Sequence, residues 1–200
     1  MLKADVTLSG VINRAAVART AKDGKNYITF GVAVTLMQRN GEQSRFDISV
    51  SMAAQPFNAP SFTEGQRVDL TGELVFKKRG DAFYLNLYAK SATQSGSTAD
   101  SLTGKISFRG ALGKNIESCA DKKGNPMLIF SGYSAEKVGE GFEYVWVRFV
   151  AFKSETQPWM QPKAKFEATG DLEMWLFAGK PSISCRVEEL KEYVKPPYNP

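Results

Sequence analysis

Two groups of side chains in this sequence could do chemistry, and both pair aromatic rings with cations. The run Tyr144-Val145-Trp146-Val147-Arg148-Phe149 reads as a strand, in which successive side chains point to opposite faces. Val145, Val147 and Phe149 align with Phe46, Ile48 and Val50 of an earlier strand, so they form the inward set and leave Tyr144, Trp146 and Arg148 outside. In the following strand Phe166, Ala168, Gly170 and Leu172 point in, which turns Glu173, Trp175 and Phe177 out, with Lys180 just beyond. Earlier, Phe76-Lys77-Lys78-Arg79-Gly80-Asp81 places three cations at a hairpin tip. Tyr84, Asn86, Tyr88 and Lys90 then share the face opposite the core set. Arg45 occupies the place that Tyr144 holds later, and Asp47 that of Trp146. The earlier face is therefore the more cationic, the later one the more aromatic. Aromatic faces stack on nucleic-acid bases at roughly 1–3 kcal/mol each, while Arg and Lys hold phosphates or add cation–π attraction. Tyr, Trp and Arg are also enriched at protein interfaces, and a cationic turn is also a common solvated surface. Both readings stand on the residues alone.

Other chemistry is excluded more sharply. The 200 residues contain no histidine, which removes the commonest general base, the commonest metal ligand and the Ser–His and Cys–His nucleophile pairs. Acidic residues are scattered, without the paired spacing that holds a divalent cation. No GxxxxGK[ST] or GxGxxG occurs. No enzyme and no cofactor are expected. The net charge of +5 is uneven: residues 1–95 carry 12 Lys and Arg against 8 Asp and Glu, the remainder 14 against 13. Such a balance suits a polyanion but is modest. Cys119 and Cys185 lie far apart, with neither CxxC spacing nor a leading apolar segment, so two free thiols in a reducing cytoplasm are expected. No apolar run approaches the ~20 residues needed to cross a bilayer.

The elements that must position these residues occur twice. Leu8-Ser9-Gly10-Val11-Ile12 returns as Leu102-Thr103-Gly104-Lys105-Ile106. Val68-Asp69-Leu70-Thr71-Gly72-Glu73-Leu74 returns as Phe166-Glu167-Ala168-Thr169-Gly170-Asp171-Leu172. The offset stays between 94 and 100 residues, the size of a small domain rather than of a solenoid repeat. Each copy shows five strands by period-two alternation, with turn chemistry at Asp23-Gly24, Asn40-Gly41, Glu64-Gly65 and Arg79-Gly80 in the first. A longer excursion separates the third and fourth strands. That is the plan of an oligonucleotide/oligosaccharide-binding (OB) barrel. The excursions Gln55–Pro60 and Gln157–Pro162 each carry two prolines, which argues against a regular helix. The expected architecture is all-β: two tandem five-stranded OB barrels over residues 1–92 and 102–192, a small polar linker over 93–101, and an extended tail over 193–200.

The residues resemble the bacterial single-stranded DNA-binding protein family. The likeness lies in Leu8–Ile12, in Ile28-Thr29-Phe30-Gly31-Val32-Ala33-Val34, and in Thr63-Glu64-Gly65-Gln66-Arg67-Val68-Asp69-Leu70-Thr71-Gly72-Glu73-Leu74. It covers most of residues 5–92 and, more faintly, 102–190. The resemblance implies sequence-independent binding of single-stranded DNA in replication, recombination or repair, by an assembly of four OB barrels. Two barrels per chain would reach four in a homodimer. The family usually ends in an acidic tail that recruits partner proteins. This sequence ends Lys195-Pro196-Pro197-Tyr198-Asn199-Pro200, which would suit a phage, plasmid or mobile-element version. Phosphate contacts fall to Arg45, Lys77, Lys78, Arg79, Arg148 and Lys180. Stacking falls to Tyr84, Tyr88, Tyr144, Trp146 and Trp175, with Phe177 beside them. The alternative is a tandem-OB adaptor whose outward aromatics form an oligomer or partner interface. RNA in place of DNA stays open, since a base stacks alike in both.

Overall fold

Period-two alternation of burial runs through the inner part of each strand. In the computed structural model, which describes residues 1–38, 40–53 and 62–194, there is no helix among the described residues. The first five strands are β1 (Leu2–Thr20), β2 (Asn26–Met37), β3 (Gln43–Ala53), β4 (Arg67–Arg79) and β5 (Ala82–Gln94). They lie in the order β2-β3-β5-β4-β1, and pairing of β2 with β1 closes the barrel. The second five are β6 (Ser101–Ala120), β7 (Pro126–Val138), β8 (Gly141–Phe152), β9 (Lys165–Phe177) and β10 (Lys180–Glu192). Their order is β6-β7-β8-β10-β9, closed by β6 with β9. In each barrel the third and fifth strands run parallel, β3 with β5 and β8 with β10. The chain is two tandem five-stranded OB barrels.

Two compact units result. The first unit holds Ala4–Gly104 and Trp175–Pro181; the second holds Met1–Lys3, Lys105–Met174 and the described residues from Ser182 on. In the first, Val68, Leu70, Leu74 and Phe76 of β4 point into a core with Ile28, Phe30, Val32, Ile48, Val50 and Leu87. Phe30 and Phe62 stack with centroids 5.0 Å apart. The second core is built from phenylalanines. Phe149 contacts Phe108 at 4.9 Å, Phe130 at 5.1 Å and Phe166 at 5.2 Å, and Trp159 stands 6.5 Å from Phe166. Gly72 sits at a register shift in β4, where a Cβ would run into the Tyr88 carbonyl of β5. Only glycine lets the two backbones approach so closely.

The strands outrun their alternation. The sequence marks β1 over 6–12 and β6 over 102–108, yet both continue as two-stranded ribbons, pairing Arg19 with Tyr27 and Cys119 with Met127. Alternation ends there because a ribbon standing away from the core has no buried face: Ala15, Val17, Ala18 and Arg19 are all exposed. The excursion 153–164 forms turns and no helix, as its prolines require, with Met160 buried at 3% exposure. The matching excursion Gln55–Pro60 and the tail 195–200 lie outside the described residues. Within the first unit, residues 95–100 are tied to β4 and β2. Ser95 N donates to the Arg67 carbonyl at 3.0 Å, and Arg67 meets Asp100 at 2.7 Å. The other Asp100 oxygen accepts Thr35 N at 2.8 Å. Among the described residues no helix is long and apolar enough to cross a membrane.

The two cysteines differ. Cys185 is wholly buried, and burial pushes its thiol up to about 12, with Asp171 and Glu188 adding to the shift. Cys119 is exposed on the β6 ribbon. Alkylation near pH 8 is therefore expected to modify one thiol per folded chain, at Cys119, and two after unfolding in denaturant, since the thiolate is the nucleophile. Peptide mass mapping reads the outcome; modification of Cys185 in the folded chain would contradict its burial.

Candidate nucleic-acid interface

The β7–β8 hairpin assembles the aromatic face of the second barrel. Its register sets Tyr133 opposite Trp146, Ala135 opposite Tyr144 and Ser131 opposite Arg148. Opposed side chains on one face of a sheet interact directly. The Tyr133 ring lies 4.9 Å from that of Trp146 and 5.5 Å from that of Tyr144. Tyr144 and Trp146 keep 44% and 55% of their surface in solvent, so Tyr133, half-buried, supports two rings that remain open. Trp146 lies down because β6 offers it a bare backbone. A Cβ on Gly113 would stand 3.3 Å from Trp146 Cζ3 and 2.8 Å from the Ser131 carbonyl. An irregularity in β6 between Leu112 and Ile116 falls at this place. Arg148 is exposed beside Ser131, and farther along β8 the Arg186 guanidinium covers the Phe152 ring at 5.0 Å. Tyr133 and Arg186 escape a reading of single strands. The signal for Tyr133 is its cross-strand partner, which only the β7–β8 register supplies.

The first barrel presents a polar face at the same position. Arg45, Asp47, Ser49 and Ser51 point out from β3. Asn13 Nδ2 donates to Asp47 Oδ1 at 2.7 Å, and Arg45 Nη2 reaches the same oxygen at 3.3 Å. Asn13 crosses β2 over Gly31, where a Cβ would collide with its Oδ1. Arg14 Nη2 donates to Ser49 Oγ at 3.4 Å and Arg19 Nε to Thr29 Oγ1 at 3.2 Å. These two arginines join the face through β1 register, which the unpatterned sequence after Ile12 conceals. The parallel β3–β5 pairing carries the surface on to Asn86 beside Ser49 and Tyr88 beside Ser51. Tyr84 and Tyr88 are each 50% exposed.

The cationic hairpin divides. Three consecutive residues of a strand cannot share a face. Lys77 and Arg79 stand on the side of Tyr84, the cross-strand partner of Lys77, and Lys78 on that of Phe83. The two-residue turn Gly80-Asp81 needs the left-handed conformation that Gly80 adopts at φ 58°. Arg79 Nη1 donates to the Lys78 carbonyl at 2.6 Å. Trp175, Phe177 and Lys180, read from sequence as part of the second copy, group with the first compact unit. There Leu176 N donates to Ser44 Oγ at 3.2 Å and Lys180 pairs with Asp81 at 3.6 Å. Phe177 is 73% exposed and Trp175 half-buried.

The ribbon tips are held by their aspartates. Asp121 Oδ1 accepts Lys123 N at 2.8 Å and Asn125 N at 2.9 Å. The Asn125 side chain, more than these amides, holds the Asp121 carboxyl below its usual range. Lys25 does the same for Asp23, pairing with it at 2.9 Å. Both carboxyls are lowered by folding, so the stability they add is present above the ordinary value of 3.8 and fades as pH falls below it. Among the described residues no three His, Cys, Asp or Glu side chains gather in a way that could hold a metal.

No family model and no curated protein matches the chain. Among solved structures it is similar to the single-stranded DNA binding protein from Thermus aquaticus, with a TM-score of 0.52 and 12% identity over 98% of this chain and 96% of that one. The small single-stranded DNA-binding protein from Streptomyces coelicolor aligns with 48% of this chain and 92% of its own, at 16% identity and a TM-score of 0.39. At such identities the likeness to the Thermus protein speaks for the fold, and it extends over both barrels of this chain.

Proposed function

We propose that this chain is a non-catalytic protein that binds single-stranded DNA with little regard to sequence, acting in the cytoplasm in replication, recombination or repair. The observation that carries the reading is the Tyr133–Trp146–Tyr144 platform, two of whose rings stay open to solvent on the outer face of an OB barrel. Exposed aromatic surface of this kind is costly in water unless a ligand covers it. A base stacks on it irrespective of identity. Arg148 sits beside the platform to meet phosphate; Arg14, Arg19, Lys77, Lys78, Arg79 and Lys180 supply cations on the first unit, with Arg45 held against Asp47. Tyr84, Tyr88, Trp175 and Phe177 are secondary stacking positions. The proposal takes 1–92 and 102–192 as the two domains, 93–101 as the linker and 193–200 as the tail. It further takes a homodimer of four barrels as the working form, which sedimentation would read as twice the 22.0 kDa of the chain.

Titration with oligo(dT), followed by intrinsic tryptophan emission, tests the reading. Strong quenching is expected, with affinity falling about a hundredfold between about 50 and 300 mM salt if some four phosphates are held. Parallel titration with oligo(U) compares RNA. No quenching and no binding at low salt would assign the aromatics to a protein interface instead.

A further inference from the structure

The two barrels carry opposite chemistry at one equivalent position of their outer faces. Ala33 pairs with Asp47 in the first and Tyr133 with Trp146 in the second, after Ile12–Val32 and Leu112–Gly132 pairs that fix the same frame. Asp47 and Trp146 therefore hold one structural place. In both barrels the first and second strands leave a shallow slot beside it, floored by a glycine on one of them. Over Gly31 the slot is filled by the Asn13 carboxamide, which hydrogen-bonds Asp47. Over Gly113 it is filled by the Trp146 ring. Resting on the stacking role of Trp146, we infer that the barrels divide the work: the second stacks bases, and Asp47 keeps the corresponding face of the first closed to the strand.

Three features argue for this. The place that offers a ring in the second barrel offers a carboxylate in the first, which repels phosphate and cannot stack. The carboxylate is anchored by Asn13, so it cannot swing away without breaking a 2.7 Å hydrogen bond. It also engages Arg45, whose Nε and Nη2 both approach Asp47 Oδ1, at 3.4 and 3.3 Å, and so occupies the cation best placed to meet phosphate there. The first barrel then contributes from the margins of its face, through Arg14, Arg19 and the β4–β5 hairpin, while its centre is blocked.

Asp47→Asn tests the inference cleanly. It is isosteric and exposed, and its amide oxygen still accepts from Asn13, so the slot keeps its shape while the charge goes and Arg45 is released. The probe is oligo(dT) of about ten nucleotides, short enough to occupy one OB fold. The unaltered chain is expected to bind one such oligomer per chain, and D47N two, with affinity for a long strand rising about threefold or more as one repulsive charge is removed. The salt slope should steepen by about 0.7 for a phosphate gained by Arg45. Trp146→Ala should weaken the single event of the unaltered chain by about ten- to a hundredfold yet spare the new one in D47N. Two oligomers on the unaltered chain would overturn the inference, as would a D47N protein of unchanged melting temperature, stoichiometry and affinity. If the unaltered chain binds no oligo(dT) at all, the stacking reading itself fails and this inference falls with it, a result distinct from binding that ignores D47N.

Discussion

Alanine at Trp146 is expected to weaken oligo(dT) binding by about ten- to a hundredfold and to leave the melting temperature nearly unchanged. The first half follows from exposure: 55% of the residue faces solvent, and base stacking on such a ring contributes roughly 1–3 kcal/mol. The second follows from what the ring touches. It rests on Tyr133, half-buried beside it, and on the bare backbone at Gly113, while the core beneath is made by Val145, Val147 and Phe149. Removing it opens no cavity. Trp146→Phe should retain most of the affinity, because a smaller ring still stacks. Arg148→Ala should act differently, lowering the salt slope by about 0.7 if one phosphate contact is lost. Fluorescence anisotropy with a labelled oligomer, beside a thermal melt, separates these effects. Unchanged affinity in folded W146A protein would remove Trp146 from the interface, and a large fall in melting temperature would make it a structural residue.

The largest loss of stability is expected from Phe149→Ala. Phe149 has no exposed surface and sits between three other phenylalanines, near-parallel to Phe130 at 13° and edge-on to Phe108 and Phe166 at 69° and 77°. Deleting a buried ring of this kind costs about 3–5 kcal/mol, lost transfer energy plus the cavity left behind. A barrel of about a hundred residues has only roughly 5–15 kcal/mol in total. The substitution should therefore bring the second barrel close to unfolding and take the stacking platform with it, since Phe149 and Trp146 share β8. Urea unfolding followed by tryptophan emission gives the number. A loss below about 1 kcal/mol would mean the phenylalanine cluster relaxes to fill the space.

What could be read in the sequence was whatever burial imprints with a period of two. The inward sets Phe46, Ile48, Val50 and Val145, Val147, Phe149 are all buried, and their neighbours Tyr144, Trp146 and Arg148 are exposed as alternation demands. The doubled barrel follows from the repeat of whole strands. Three things were hidden for physical reasons. The ribbons after Ile12 and Leu112 have two wet faces and so no pattern. Tyr133 belongs to the platform only through a cross-strand partner, and register is invisible in a single strand. The pairing of Asn13 with Asp47, 34 residues apart, depends on a glycine between them that looks like any other strand residue. The cations of Lys77–Arg79 illustrate a subtler gap: adjacency in sequence suggests one finger, whereas strand geometry sends them to two sides.

The parallel third and fifth strands also predict an order of events during folding. The platform hairpin β7–β8 closes through the two-residue turn Gly139-Glu140 and is wholly local. β6 must instead find β9 across a separation of 66 residues, from Lys105 to Asp171, and β8 must meet β10 in parallel. Local hairpins form in about 1–10 μs, whereas domains dominated by distant pairings fold in milliseconds to seconds. The aromatic face is therefore expected to take shape on a ribbon whose inner side, Val145, Val147 and Phe149, is covered only when β9 and β10 arrive. Synthesis at about 5–20 residues per second would lengthen that interval, because β9 and β10 follow β8 in the chain. On this order the Tyr133–Trp146–Tyr144 platform is expected to be in place before its inner face is covered; pulsed hydrogen exchange during refolding should protect the β7–β8 amides before those that join β6 to β9.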